Sequence, residues 1–495
     1  MVLNTATTAP VPYARVVLEP EGSATLTDST GAFRFSQVRP GVHFALASKT
    51  GFIPVDGHEA GEEVSLNASR EKHALWLTPL SSIRGRITDS EGEPVEGVTV
   101  LALKSRIEAG HRRNQIERVV ETNDRGEYRI PLLQAGGYLV KASGRFSETC
   151  YYGNALPPAT RDAFAPVYFG GSPDAAGATL VPLQAGAEAR ADFSLTLQPG
   201  HMIRGRIANL RPESAADLQL SSSDEDLGVT RSSLELVTGQ FEIQGVLDGK
   251  YRLRAYQRND GGQLLFAEQN VVLSGHDVEG VRLTLGDASA VKGKLRIEGR
   301  QDELAVGFSA VLAAQDSLLA LKFGQVWRVS GQVTDGAFEI PSVFPGKYWI
   351  ELATGGNLYV SAAHAGNTDI LATQELVAGP DGAPELDIVL RTDGGGVRGT
   401  LAPETTRGDT AAVVLLVPES CNRPARVTAV AQGGGFSFSG VAPGSYRLHV
   451  LKESVEVEFG SPNALSALAH SGTPVQVNAG EVTQIELRKL SEDIR

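Results

Sequence analysis

The chain has 495 residues, 55 of them glycine and 2 methionine. That length exceeds what one hydrophobic core organises, and the composition suits many turns between short strands while arguing against helical bundles. With 45 basic against 58 acidic residues, a net charge of −13 and no long block of either sign, the chain lacks the Lys and Arg surplus that phosphate neutralisation demands, so nucleic acid is set aside as a partner.

From the N-terminus, "MVLNTATTAPVPYARVVL" shows neither the basic segment nor the apolar run of a signal peptide. Its second half, "APVPYARVVL" at 9–18, matches "EPVEGVTVLAL" at 93–103 but lacks the strand phrase that precedes the latter. The expectation is a first domain, 1–80, that lacks its first strand: either Met1 to Thr8 supplies a degenerate version, or, the preferred reading, the true start lies upstream with the first strand and an export signal. No apolar run approaches the ~18 residues that span a bilayer.

Next comes "GAFRFSQVRPG" at 31–41, in which Phe33 and Phe35 alternate with polar neighbours at the period of a half-buried strand. Pro40 and Gly41 then suit a type II turn. The phrase recurs as "GEYRIPLLQAGGY" at 126–138, "GQFEIQGVLDGKY" at 239–251, "GAFEIPSVFPGKY" at 336–348 and "GGFSFSGVAPGSY" at 434–446. Its turn glycines are Gly41, Gly136, Gly249, Gly346 and Gly444, and a tyrosine follows two residues later in four copies, as Tyr138, Tyr251, Tyr348 and Tyr446. In the first copy His43 fills that slot and Phe44 reads as the aromatic displaced by one. The expected structure is a strand that reverses into a hairpin. A β-branched residue in place of Gly346 or Gly444 should then cost about 1 to 3 kcal/mol.

Two further phrases frame each copy. "IRGRI" at 83–87 and 203–207, "VKGKL" at 291–295 and "VRGTL" at 397–401 open domains with a strand whose glycine admits a neighbouring backbone or a bulge. Paired alternations such as "LVPLQAGAEARADFSLTL" at 180–197 and "VQVNAGEVTQIEL" at 475–487 read as terminal hairpins. Together these place domains at 1–80, 81–200, 201–287, 288–392 and 393–495, joined by short linkers. A semi-rigid, extended array is expected, which small-angle scattering would test.

The order "RGRITDSEGEPVEGVTVLAL" then "VVETNDRGEYRIPLLQAGGYLVKAS" resembles the carboxypeptidase regulatory-like domain. That resemblance implies an all-β chain, a tandem array of about five prealbumin-like antiparallel β-sandwiches of the carbohydrate-binding-like kind. It also implies an exported or cell-envelope protein, expected to be a carbohydrate-binding or adhesive module whose partner is a polysaccharide or another envelope protein, with a structural spacer or protein-interaction stalk as the alternative.

Signs of catalysis are missing. The nine histidines are scattered singly, no H-E-x-x-H or G-x-S-x-G occurs, and the adjacent pair His276-Asp277 reads as surface turn residues. Neither a metal nor a cofactor is expected, and the chain is read as no enzyme. The Asp-rich turns "SSSDEDLG" at 221–228, "TNDRG" and "RNDGG" match no calcium loop and read as turn caps. A Lys–Asn crosslink of the pilus type is set aside, because arginine occupies most first-strand positions and a guanidinium cannot act as the nucleophile. Cys150 and Cys421 fall in different domains, which excludes a disulfide framework. The basic "HRRNQIER" at 111–118 reads as a solvated hairpin edge.

The one departure from plain scaffold is an insertion at 144–171 in the second domain. It concentrates Tyr151, Tyr152, Phe164, Tyr168 and Phe169 in a chain that is 6% aromatic. Two readings stand side by side. These rings either form a ligand platform for a sugar or peptide, or they anchor a long loop on the sheet. Trp76, Trp327 and Trp349 read as core or domain-interface residues.

Overall fold

The computed structural model describes residues 1–36, 38–55, 62–66, 73–108, 110–145, 162–222, 232–258, 264–298, 306–316, 326–333, 336–379, 381–401, 412–431, 433–452 and 457–487. Among these, strands dominate, with two short helices at Ile370–Thr373 and Pro462–Ala469. The chain is an all-β array of sandwiches, antiparallel apart from the parallel pairing of the opening strand with the final one, which in the second sandwich is split into two short strands. It divides into two compact units, one of Met1–Ser105 with Gln115–Pro199, the other of Arg106–Asn114 with Gly200–Arg495.

In the first unit, one apolar core gathers Val2, Val16, Leu18, Leu75 and Leu77, and a second gathers Ile83, Ile87, Val100, Ile130, Val140 and Phe193. The second unit has cores around Ile203, Phe241 and Leu253, around Val291, Phe308, Tyr348 and Ile388, and around Val397, Phe436, Leu448 and Val477. In the second sandwich the opening strand Ser81–Thr88 lies between the antiparallel strand Glu127–Leu133 and the parallel final strands Glu188–Arg190 and Phe193–Ser194. The facing sheet is built on Gly136–Arg145 paired with Val98–Glu108.

The opening-strand glycine is explained by what stands opposite it. Gly85, Gly205, Gly293 and Gly399 are the ladder partners of Tyr128, Phe241, Phe338 and Phe436, the aromatics of the recurring phrase. A Cβ on Gly205 would lie 2.5 Å from the Phe241 ring, and one on Gly399 would lie 2.7 Å from the Ile485 carbonyl of the final strand. The ring lies across the bare glycine, so the two phrases are halves of one contact.

The spacing of three between the phrase's last two apolar positions is a β-bulge. Leu132, Gly245, Ser342 and Gly440, at φ of 60°, 69°, 58° and 59°, each occupy the left-handed region just before the apolar residue that returns to the core. Glycine suits this conformation, and Leu132 and Ser342 adopt it at a cost.

Both predicted hairpins are arches between sheets. Strand Gln240–Val246 pairs with the opening strand His201–Ala208, whereas the next strand, Gly249–Arg258, pairs with Ala216–Ser222 in the other sheet. The final phrase divides likewise: Thr473–Val477 pairs with Gly444–Lys452, and Val482–Leu487 pairs with Gly395–Leu401. Alternation identifies a core-facing strand and cannot say which sheet it joins. The turn glycines begin the strand after the reversal. Gly41 and Gly136 have φ of 149° and 144°, Gly346 and Gly444 stand at 159° and 157°, and Gly249 is not among the positive-φ glycines, so the type II conformation is not adopted.

A side-chain hydrogen bond closes each reversal instead. The hydroxyls of Tyr138, Tyr251, Tyr348 and Tyr446 donate to the carbonyls of Gln134, Leu247, Phe344 and Ala442, at 2.9, 2.9, 2.8 and 2.7 Å. Each carbonyl lies four residues upstream, in the manner of a tyrosine corner. In the first copy His43 does this work: its Nε2 lies 2.8 Å from the Arg39 carbonyl and its Nδ1 3.0 Å from Glu21. His43 is 4% exposed and Phe44 41% exposed, so Phe44 is not the displaced anchor.

The first sandwich departs in two further ways. Val2–Asn4 forms a short strand parallel to Leu75–Leu77, in the place of an opening strand. Val2 N–H donates to Gly31 O as Ile87 N–H donates to Gly126 O, so Val2 corresponds to Ile87. Residues 32–36 form no ladder, and Phe33 and Phe35 pack edge to face on the core, ring centroids 6.0 Å apart.

Gly293→Ala should destabilise the fourth sandwich by about 1 to 3 kcal/mol, because the added methyl meets the Phe338 ring. Leu132→Gly should stabilise the second by about 1 kcal/mol by relieving a left-handed leucine that is 45% exposed. Urea unfolding of both variants checks the contact and the bulge together.

Candidate functional site

The aromatic insertion divides at the limit of the described residues. Tyr151 and Tyr152 lie outside them, as does Phe146. Within them, Val167–Tyr168 pairs antiparallel with the strand Gly136–Arg145, and Tyr168 is 2% exposed. The Lys141 ammonium lies 5.3 Å from the Tyr168 ring centroid. Phe164 and Phe169 pack on the second core, and Phe169 meets Phe193 edge to face at 6.1 Å. Tyr168 is thus buried in its sheet, while Phe164 and Phe169 are half-buried against the second core.

The other singled-out residues resolve in a similar way. Asn123 of the "TNDRG" turn accepts from the backbone N–H groups of Arg125 and Glu127 at 3.0 and 2.8 Å, a self-capped turn. The "RNDGG" turn and most of "SSSDEDLG" fall outside the described residues. Trp76 is 39% exposed on the outward side of its strand, and the Trp327 side chain falls outside the described residues.

The basic segment at 111–118 is not a solvated edge along its whole length. Its first residues, within Arg106–Asn114, belong to the second unit. His111 stacks on Trp349 with ring centroids 4.2 Å apart and planes 11° apart. The Arg113 guanidinium stands 4.8 Å from the same ring's centroid and donates to the Ala314 carbonyl. The Gly110 carbonyl accepts from Phe459 and Gly460 N–H at 2.9 and 2.7 Å. Burial, reinforced by the Arg113 charge, depresses the His111 pKa to about 4.

Sequence reasoning also missed a charged cluster at the junction of the third and fourth sandwiches. Arg254 is 1% exposed, pairs with the 4%-exposed Asp316, and donates through Nε to Glu268 at 2.7 Å. Arg252 adds a second cation 3.6 Å from Asp316. Burial by itself would lower the Arg254 pKa, but Asp316, Tyr256 and Glu268 outweigh it and hold the guanidinium above its ordinary range. Burial likewise pushes the Tyr256 and Tyr348 hydroxyls up. Around this cluster Tyr256, Phe266 and Phe344 pack as tilted rings at centroid distances of 5.3 and 5.1 Å, and Tyr256 and Phe266 join the fourth core. Each charge in this cluster is held against another: Arg254 against Asp316 and Glu268, and Arg252 against Asp316.

Comparison with known proteins locates the recurring unit. Residues 82–196 match the family model of the carboxypeptidase regulatory-like domain. No curated protein matches the chain in sequence. Among solved structures, the Bacillus anthracis TIE protein is 10% identical, covering 82% of this chain and 73% of its own, with a TM-score of 0.16. The full-length RrgB pilus protein of Streptococcus pneumoniae is 8% identical, covering 84% and 99%, with a TM-score of 0.16. Two B repeat units of the collagen binding protein of Staphylococcus aureus are 10% identical, covering 77% and 98%, with a TM-score of 0.17. No helix among the described residues is long and apolar enough to cross a membrane.

The His111 stack predicts an acid response. Its folded pKa of about 4 lies below the ordinary 6.5, so the unfolded state binds more protons between those values and stability rises with pH across them. Lowering the pH from 7 to 4 should cost the second unit up to roughly 3 kcal/mol through this group. Urea unfolding of His111→Gln beside the wild type checks it: the variant should show a shallower decline in that window.

Proposed function

We propose, for a chain carrying a carboxypeptidase regulatory-like domain at residues 82–196, a non-catalytic role as a stiff stalk that spaces or presents a partner at the cell envelope. The supporting observation is the junction of the third and fourth sandwiches, where Arg254, Asp316 and Glu268 interlock inside a shell of Tyr256, Phe266 and Phe344. A binding module on a flexible tether does not need a buried ion pair between neighbours, since desolvating two charges is costly unless both are fully engaged. An element that must hold its neighbours in one orientation does benefit, because the pair is satisfied in one geometry only.

The junction of the fourth and fifth sandwiches points the same way. Arg423 donates to the carbonyls of Val360 and Ser361 at 2.7 and 3.0 Å, bridging the two. A sugar platform on the insertion is less favoured, since Phe164, Tyr168 and Phe169 are engaged in the second core. The five-domain division and the envelope location belong to this reading, the latter through the family resemblance.

Calorimetry of the full chain tests it. The third and fourth sandwiches should melt together in the wild type. Asp316→Ala should separate their transitions and cost about 3 to 5 kcal/mol, the usual price of orphaning a buried charge. Two independent transitions in the wild type would overturn the stalk.

A further inference from the structure

We infer that the outer face of the third sandwich's opening sheet binds an acidic polysaccharide, gripped by Arg206 and Arg282. The face carries a broad groove of about 1280 Å³, larger than the roughly 300 to 1,000 Å³ typical of small-molecule pockets and so suited to a chain. This site goes beyond the stalk reading and does not depend on it.

A comparison of equivalent positions within the chain carries the inference. The second outward residue of each opening phrase faces a residue on the parallel final strand. In the second sandwich Asp192 stands there, accepting from Arg86 N–H at 2.9 Å. In the fourth it is Asp387 beside Lys294, and in the fifth it is Glu486 beside Thr400. In the third sandwich the same position holds Arg282, directly beside Arg206. Like charges side by side on a sheet are destabilising, so the inversion costs stability where none of the other three sandwiches sets like charges side by side.

The surrounding carboxylates do not relieve the pair. Glu242 and Glu279 are engaged by Arg204 at 2.7 and 3.3 Å, and Glu235 accepts from the Thr238 hydroxyl at 2.7 Å. Arg206 is oriented by its Nε, which donates to the Thr238 carbonyl at 2.9 Å, leaving its terminal nitrogens for a ligand. Arg282 is exposed. The two guanidiniums thus form a dication able to clasp a carboxylate or sulfate through charge-assisted bonds.

The rest of the lining selects the carrier of that anion. The exposed Gln240 and Thr284 supply an amide and a hydroxyl along the groove, which match the hydroxyls of a sugar chain. The arginines lie on the sheet face, so a peptide would not gain the backbone ladder of strand addition. Two cations in a chain of net charge −13 also give too little phosphate neutralisation for nucleic acid.

Biolayer interferometry of the full chain on immobilised polygalacturonate, dextran sulfate, neutral dextran and polyglutamate tests the site. The wild type should bind polygalacturonate or dextran sulfate, more weakly as salt rises, and ignore neutral dextran. Arg282→Glu restores the acidic residue of the other sandwiches. It should weaken binding about tenfold or more while raising thermal stability. Arg296→Glu, altering an arginine already paired with Asp387 at 3.0 Å, should bind as the wild type does and controls for net charge. Failure of the wild type to bind either acidic sugar polymer, equal binding by Arg282→Glu, or equal retention on polyglutamate would each overturn the inference.

Discussion

Each of the later four sandwiches depends on an aromatic ring lying across a glycine that has no side chain to oppose it. The contact joins three strands at once. The ring comes from the antiparallel neighbour, the bare Cα from the opening strand, and on the far side the final strand presses its carbonyl into the same space, as Ile485 does beside Gly399. At Tyr128 the ring reaches over Gly85 and its hydroxyl donates to the Ala191 carbonyl of the final strand. Any β-carbon there would push the strands apart, so the glycine fixes both register and spacing. The tyrosine corners act next: with register set in one sheet, the corner hydroxyl fixes where the chain leaves it for the other. The ring-and-glycine contact thus positions one sheet, and the corner positions its partner over it.

Much of this was written in the sequence because it is local or periodic. The glycine of "IRGRI", the aromatic of "GEYRI" and the tyrosine two residues past the turn glycine all recur at fixed spacing, and each proves to be one side of a contact. The spacing of three before the turn encodes a bulge, visible once Leu132 and Ser342 are seen in the left-handed region. What periodicity cannot carry is sheet membership. Alternation says that Val181–Leu183 and Glu188–Arg190 both face a core, and nothing in it says that they belong to opposite sheets.

The candidate sites were less legible, for a related reason. Arg254 and Asp316 are distant in sequence and flanked by ordinary strand residues, so no spacing announces their pairing. His111 and Arg113 sit in a run whose charge suggests solvent, yet both are buried against Trp349. His43 could have been found, since it stands in the tyrosine slot, and imidazole can reach a carbonyl as a phenol does. Arg282 was readable only by comparing the chain with itself, because an arginine on a strand is unremarkable until its three counterparts are acidic.

Gly440 serves two masters. Its left-handed conformation makes the bulge of the fifth sandwich, and a β-carbon there would also strike the Leu358 carbonyl of the fourth. The residue that shapes a module's interior therefore also shapes the surface its predecessor rests on. In lineages descending from such a chain, duplication or shuffling of modules would have to carry each junction's two faces together. A fifth sandwich moved to another place in the row would meet a surface for which Gly440 is not shaped.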